Sequence, residues 1–228
     1  MRFRVFRPGE GSGAPGAVSQ AIHSEPVAFS SEGLRLEGDL CAPPGRLRAA
    51  AVVCHPHPLY GGDRNNNVVV ALARALCESG ASALRFDFRG AGGSQGAWSG
   101  GEGEYRDVLA ALAFQRNRHP DLPLWLAGYS FGAALCARAA REDRSVARLV
   151  LVAPPLSVVA VPSAEKVPTL LVVGDSDSFC AVEAARAYCT GKDVTELVVL
   201  SGADHFFRGY EGEIEHAVKK WLGQSEAG

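Results

Sequence analysis

Apolar and polar residues follow two different patterns along the chain. Over Leu34–Leu40, apolar and charged residues alternate one by one, which is typical of a half-exposed, antiparallel strand. Downstream, the pattern changes to short continuous apolar runs, which indicate strands buried on both faces of a parallel sheet. Six such runs are predicted as strands: Ala49–Cys54, Ala81–Phe86, Leu122–Ala127, Ala147–Ala153, Thr169–Val173 and Val194–Leu200.

Segments between these runs carry apolar residues at the spacing i, i+3, i+4, i+7 of amphipathic helices. This spacing occurs in Val69–Leu76, Tyr105–Leu112 and Ile214–Trp221, and Ala133–Ala140 is also compatible with a helix. Alternating strands and helices predict an α/β fold, a doubly wound, mostly parallel sheet of about seven to eight strands with helices on both faces. In such sheets ligands bind at the carboxyl ends of the strands, so the loops that follow the apolar runs should carry the chemistry.

The chain of 228 residues is long enough to bury a full hydrophobic core as one domain. Residues 1–24 include a stretch rich in glycine and proline without an apolar face, and they are predicted to form a mobile tail. Residues 25–228 are predicted to form a single domain.

Charge and cysteine content narrow the classes of partner and compartment. The net charge is −2, so neither nucleic acid nor an anionic membrane is expected as a partner. No apolar run reaches 18 residues, and neither a signal peptide nor a membrane span is predicted. Six widely spaced cysteines without a CxxC pair predict reduced thiols and a cytoplasmic protein. Homo-oligomer formation is left open.

The pattern G-x-S-x-G, which marks the nucleophile turn of many hydrolases, occurs twice, around Ser94 and around Ser130. Only the second match follows an apolar strand directly and leads into a helix-compatible segment. This order of strand, sharp turn and helix favours Ser130 as a nucleophile. The first helical N–H, that of Phe131, would then face the developing oxyanion.

With these motifs the sequence resembles the α/β-hydrolase superfamily, in particular small lidless bacterial esterase-like proteins related to dienelactone hydrolase. The resemblance spans roughly residues 33–222. Besides Gly128–Gly132, it rests on His55–Gly62, Asp87–Gly90 with Gly93 and Ser94, Gly174–Asp177 and Gly202–Phe207. Asp87 and Arg89 resemble a bracing loop of this fold and are interpreted as structural.

A serine hydroxyl needs a base to take its proton and an acid to orient that base. His205 follows the last buried run in a loop, and the family pattern also places the base there. Asp175 and Asp177 both follow the preceding run, in the chain order Ser, Asp, His of this fold. The resemblance implies Asp177 as the acid, and Asp175 would then shape the turn.

The second oxyanion donor is expected in the loop after the first buried strand. Pro56 and Pro58 have no N–H, so His57 is predicted to donate, with Leu59 or Tyr60 as alternatives. The spacing of His55 and His57 also fits a pair of metal ligands. Because the chain lacks the further residues of such a motif, neither a metal nor a cofactor is predicted.

The resulting hypothesis is a serine hydrolase that cleaves carboxylic esters of small to medium acyl chains through an acyl-enzyme on Ser130. The short segment 154–168, where many relatives carry a lid, predicts an open site for a small-molecule ester. The aromatic residues that flank the site are interpreted as an acyl pocket or as core: Phe131, Phe179, Phe206 and Phe207. Thioesterase, lactonase, peptidase and acyltransferase activities, a non-catalytic binding protein and a metal-dependent hydrolase remain alternatives.

Overall fold

A computed structural model describes residues 2–6, 23–192 and 195–223, and these ranges contain nine strands and five α-helices. The strands are β1 (Arg2–Phe6), β2 (His23–Ser31), β3 (Leu34–Ala42), β4 (Ala49–Cys54), β5 (Ala81–Phe86), β6 (Leu124–Tyr129), β7 (Val146–Val152), β8 (Thr169–Gly174) and β9 (Thr195–Leu200). The helices are α1 (Asn67–Glu78), α2 (Glu102–Arg118), α3 (Phe131–Glu142), α4 (Val182–Cys189) and α5 (Glu211–Gly223).

All nine strands form one sheet in the order β1-β9-β8-β7-β6-β4-β5-β3-β2. The strands from β1 to β5 in this order are parallel, and β3 and β2 continue the sheet in antiparallel fashion. Helix α1 packs on α5, and α2 packs on α3. The predicted fold, a mostly parallel sheet with helices on both faces, is therefore confirmed, with more strands than the seven or eight expected.

The central strands are buried along their whole length, as their unbroken apolar runs predict. Every residue of β4, β6, β8 and β9 is buried, because helices cover both faces of the sheet. Strand β4 lies between β5 and β6, and Cys54 at its end is in register with Gly128. The loops that follow these strands therefore leave the sheet side by side.

The prediction of a mobile tail over residues 1–24 is corrected at both ends of that range. Arg2–Phe6 form β1, which pairs in parallel with β9, and β2 already begins at His23. A salt bridge of 2.9 Å between Arg4 Nε and Glu196 Oε1 accompanies the pairing of β1 with β9. Residues 7–22 of the predicted tail lie outside the described residues, as do Val194 of the predicted last strand and the end of the predicted domain, 224–228.

The connection between β7 and β8 is short and consists of turns, without a helical insertion over residues 153–168. The expected lidless architecture is thus present. A membrane-spanning helix is likewise missing from the described ranges, since their helices are too short or too polar to cross a bilayer.

A buried ion pair fixes the loop after β5 to helix α2. The Arg89 guanidinium donates to both carboxylate oxygens of Asp107 at 2.8–3.2 Å, and the Arg89 backbone N–H donates to Asp107 Oδ2 at 2.9 Å. The Asp107 side chain is fully buried and that of Arg89 is 10% exposed. The Arg89 guanidinium also pairs with Glu32 Oε2 at 3.1 Å, but the side chain of Glu32 is 57% exposed, so Asp107 is the only buried carboxylate of the two.

We therefore expect Asp107→Ala to lower the free energy of unfolding by about 3 kcal/mol, because the largely buried Arg89 charge loses its buried partner and keeps only the exposed carboxylate of Glu32. Urea denaturation measures this value. The matched control on the same helix is Glu102→Gln, which removes an exposed pair with Arg138 and should cost less than about 1 kcal/mol. Equal losses in the two variants would contradict the prediction.

Candidate active site

The sharp turn between β6 and α3 carries Ser130 in a strained backbone conformation. Its φ of 53° and ψ of −117° lie where residues with a side chain rarely occur, at a cost of about 1–3 kcal/mol. Two glycines make the turn possible. A Cβ on Gly128 would lie 2.6 Å from the carbonyl of Gly132, and a Cβ on Gly132 would lie 2.5 Å from the carbonyl oxygens of Cys54 and His55. The glycines thus allow α3 to start directly against the end of β4.

Ser130, His205 and Asp177 form an unbroken chain of hydrogen bonds. Ser130 Oγ lies 3.0 Å from His205 Nε2, and His205 Nδ1 lies 2.7 Å from Asp177 Oδ2. The carboxylate accepts the proton on Nδ1, so Nε2 is left as an acceptor for the serine hydroxyl. The side chain of Asp177 is fully buried, and its second oxygen accepts from the backbone N–H groups of Phe179 and Cys180 at 2.8 and 2.9 Å.

Asp175 has a separate set of contacts and does not reach His205. Its Oδ1 accepts from the backbone N–H of Gly202 at 2.7 Å, and its Oδ2 accepts from Ser201 Oγ at 3.0 Å. These bonds tie the end of β8 to the turn after β9. Asp175 therefore holds the loop from which His205 projects, while Asp177 contacts the imidazole itself.

Ser94, in the other G-x-S-x-G match, is a buried structural hydroxyl. It donates to the carbonyl of Asp87 at 2.7 Å and accepts from the backbone N–H of Glu37 at 2.9 Å. The first bond closes the loop after β5 on itself, and the second joins that loop to strand β3. The structure therefore brings His205 to Ser130 and occupies Ser94 elsewhere.

In the loop after β4, the backbone N–H of His57 is available as a donor beside the turn that carries Ser130. The N–H of Leu59 donates to His57 Nδ1 at 3.2 Å, and the N–H of Tyr60 donates to the His57 carbonyl at 3.1 Å. The two alternative oxyanion donors are thus already engaged. The N–H groups of His57 and Phe131 donate to no group in the described part of the chain, and the two rings lie 4.9 Å apart between centroids.

Both ring nitrogens of His55 are engaged with the backbone. Nδ1 donates to the carbonyl of Pro56 at 2.6 Å, and Nε2 accepts from the N–H of Phe88 at 3.0 Å. Burial lowers the pKa of His55, which agrees with this neutral state. His55 therefore orients its own loop against the loop after β5, and neither nitrogen is free to ligate a metal with His57. Over the described ranges, no group of three or more His, Cys, Asp and Glu residues is arranged to bind a metal ion.

The loop after β5 is braced by the two residues that sequence analysis interprets as structural. Asp87 accepts from the backbone N–H of Arg64 at 2.8 Å and forms an ion pair with its guanidinium, while Arg89 pairs with Asp107. Arg64 also bonds to Asp39 at 3.1 Å. Neither Asp87 nor Arg89 contacts Ser130 or His205 through a hydrogen bond among the described residues.

Two residues that sequence analysis missed contribute to the site. The hydroxyl of Tyr129 donates to the carbonyl of His205 at 2.6 Å, so the residue before the serine holds the backbone of the histidine. The ring of Trp98 lies 4.3 Å from that of His57 and 5.3 Å from that of Phe131. The G-x-S-x-G position of Tyr129 is the one sequence signal for its place, and Trp98 has none.

The predicted flanking aromatic residues fall into different environments. Phe207 is fully buried and belongs to the core, and Phe131 is partly buried beside His57 and Trp98. Phe179 and Phe206 are instead 46% and 57% exposed. Because Phe207 is enclosed in the core, only the other three phenylalanines can line a pocket.

A family profile described as serine aminopeptidase, S33, matches residues 47–166, just over half of the chain. An uncharacterised protein from Rickettsia prowazekii is 30% identical, and the match covers 86% of this chain and 87% of that protein. Each of these matches includes the turn that carries Ser130.

Two solved bacterial structures share the fold over most of their length. An α/β serine hydrolase homologue from Coxiella burnetii is 36% identical, with a TM-score of 0.81 over 89% of this chain and 99% of that one. An α/β serine hydrolase without a lid from Xanthomonas campestris is 32% identical, with a TM-score of 0.77 over 87% and 95%. The narrower resemblance to dienelactone hydrolase stays a prediction. The chain belongs to the family described as serine aminopeptidase, S33, within the α/β-hydrolase superfamily.

Proposed function

We propose that this protein is a serine hydrolase that cleaves carboxylic esters of small to medium acyl groups through an acyl-enzyme on Ser130. The observation that carries the proposal is the continuous chain from Ser130 Oγ through His205 to the buried carboxylate of Asp177, at 3.0 and 2.7 Å. A serine that only caps a helix or donates a structural hydrogen bond does not require a histidine and a buried carboxylate in line with its hydroxyl. We also propose that the protein acts in the cytoplasm, on a small-molecule substrate.

In the first half-reaction, Ser130 Oγ attacks the ester carbonyl carbon while His205 Nε2 takes the hydroxyl proton. Asp177 keeps Nδ1 protonated and stabilises the imidazolium that forms. The two backbone amides at Asp177 Oδ1 fix the carboxylate, so the imidazole is oriented before the substrate arrives. His205 then returns the proton to the leaving alcohol, and the acyl group remains on Ser130.

The negative charge on the carbonyl oxygen needs donors that are already in place. We assign this role to the backbone N–H groups of Phe131 and His57. The amino end of α3 adds its dipole at Phe131, and Pro56 and Pro58 restrict the loop around His57. In the second half-reaction, a water molecule gives its proton to His205 and attacks the acyl carbon. The bond between that carbon and Ser130 Oγ then breaks, His205 returns the proton to Oγ, and the carboxylic acid leaves, so the proposed steps use no cofactor.

The short β7–β8 connection supports an open site. Substrate reaches Ser130 without displacing a helical cover, because the segment over 153–168 consists of turns. Such a site favours small and medium acyl groups over substrates that need a deep enclosed tunnel.

Peptide cleavage is the second candidate, because the family profile is described as serine aminopeptidase. The same serine, histidine and aspartate can serve both reactions. Turnover of p-nitrophenyl esters against amino-acid p-nitroanilides separates the two. Thioesters, lactones and acyl acceptors other than water belong in the same comparison.

Ser130→Ala is expected to reduce kcat for p-nitrophenyl acetate by roughly 10⁶-fold, because the attacking atom is removed. A fluorophosphonate probe should label the wild-type protein at Ser130 and should fail to label the variant. The matched control is Ser94→Ala, which removes a hydroxyl from the other G-x-S-x-G match and should leave most of the activity of the folded protein. Similar losses in both variants would contradict the assignment.

Asp177→Asn is expected to lower kcat by about 10⁴-fold, because the amide can donate to His205 Nδ1 and favour the wrong tautomer. Asp175→Asn should leave kcat within about twofold and lower the free energy of unfolding by about 1 kcal/mol, the scale of a hydrogen bond. Steady-state kinetics and urea denaturation of both variants test this pair. The reverse order of kcat losses would assign the acid to Asp175.

EDTA is expected to leave ester hydrolysis unchanged, because both nitrogens of His55 are bonded to the backbone and the proposed steps use no metal. Initial rates before and after dialysis against the chelator measure this. A loss of activity that zinc restores would favour a metal-dependent mechanism instead.

A further inference from the structure

Large apolar side chains are exposed mainly around the candidate active site. Of the eight exposed large apolar residues in the described ranges, two lie on the edge strand β1. The other six lie in the loops that leave the carboxyl ends of β4, β7, β8 and β9: Leu59, Tyr60, Val158, Val159, Phe179 and Phe206. A concentration of apolar surface at one edge of a sheet indicates a binding role.

Two of these side chains, Phe179 and Phe206, flank the imidazole of His205. The ring centroid of Phe179 lies 4.8 Å from that of His205, and the centroid of Phe206 lies 6.0 Å from it. The rings are 46% and 57% exposed, so each presents a free apolar surface beside the histidine.

Hydrogen bonds fix the backbone of both phenylalanines. Phe179 donates to Asp177 Oδ1 at 2.8 Å and accepts from the N–H of Ser157 at 3.0 Å. Phe206 donates to Asp204 Oδ1 at 2.9 Å and accepts from Asn67 Nδ2 at 3.2 Å. The backbone of each phenylalanine is thus fixed by both its N–H and its carbonyl group, while its ring stays exposed to solvent.

The chemistry of the proposed reaction assigns this surface to one half of the substrate. His205 must deliver a proton to the oxygen of the leaving alcohol, so that oxygen lies at Nε2. The carbonyl oxygen lies instead toward the amides of Phe131 and His57. The group bonded to the leaving oxygen is consequently the part of the substrate that extends along the rings beside His205.

We propose that Phe179 and Phe206 form a subsite for the leaving alcohol, and that the preferred substrates are esters of bulky apolar alcohols, aromatic ones above all. The exposed Val158 and Val159 directly follow Ser157, which bonds to the Phe179 carbonyl and to the Ala181 N–H, so they are held near Phe179. Two rings beside the imidazole offer edges and faces to a third ring. The inference rests on the proposed function and adds the alcohol class to it.

Benzyl acetate and ethyl acetate test the subsite, because both give the same acetyl-enzyme and differ only in the alcohol. Deacylation is common to the two esters, so the subsite should act on kcat/KM, which reports acylation. We expect wild-type kcat/KM to be about tenfold higher for benzyl acetate, the scale of an added apolar contact. Phe206→Ala and Phe179→Ala should each reduce this ratio severalfold, and Phe206→Leu should retain most of it.

The matched control is Phe3→Ala, which removes an exposed phenylalanine from β1 and should leave the ratio unchanged. Fluorophosphonate titration counts folded active sites in each variant, so a loss of folding is not mistaken for a loss of selectivity. Ethyl phenylacetate against ethyl acetate varies the acyl side, and the alanine variants should leave this second ratio unchanged.

Two results would overturn the subsite while leaving the esterase proposal intact. One is a wild-type benzyl-to-ethyl ratio near one, or a ratio that both alanine variants preserve. The other is a change confined to the acyl-side ratio, which would place the acyl group against these rings. If the wild-type protein hydrolyses neither acetate nor any p-nitrophenyl ester, the proposed function itself fails.

Discussion

The structure of the site depends on one close backbone approach, that of Gly132 to the carbonyl oxygens of Cys54 and His55. A side chain at this position would push the start of α3 away from the end of β4. Because nothing stands between them, the loop after β4 lies beside the first turn of the helix. The amides of His57 and Phe131 come from segments 74 residues apart in the chain, yet this contact places their residues side by side.

The parallel sheet brings the remaining groups to the same edge. Ser130, Asp177 and His205 each follow the carboxyl end of a strand. These strands, β6, β8 and β9, run parallel to one another, so their carboxyl ends lie at the same edge of the sheet. The strained serine is held between two buried elements, whose packing offsets its unfavourable backbone angles. The Tyr129 hydroxyl then links the backbone of the histidine to the same strand that carries the serine.

The sequence predicts the buried centre of this fold better than its edges. Runs such as Ala49–Cys54 are apolar throughout because they are covered on both faces, and their pattern is therefore independent of the partner strand. Strands β1 and β2 carry charged residues and depend on pairing with β9 and β3, which no local pattern reveals. Helix α4 has only eight residues, so the spacing i, i+3, i+4, i+7 can occur in it only once.

The candidate site likewise has a part that the sequence predicts and a part that it does not. Chain order and the resemblance to hydrolases suffice to select Ser130, Asp177 and His205, whereas the engagement of the Leu59 and Tyr60 amides depends on the three-residue 3₁₀ turn that follows His57. The role of His55 is equally hidden, since its partner Phe88 is 33 residues away. Hydrogen bonds to backbone groups far away in the chain produce no local sequence pattern, so they cannot be predicted from the spacing of residues.

Strand β1 also has a consequence for the behaviour of the protein in concentrated solution. Strand β9 is a run of six buried residues, and without β1 its backbone N–H and C=O groups would form the open edge of the sheet. Open apolar edges pair with other chains and lead to aggregation. Strand β1 covers this edge and becomes the outer strand itself, but it is only five residues long and carries Arg4, which pairs with Glu196. A short, charged outer strand is a poorer template for edge-to-edge pairing than the apolar run of β9 would be.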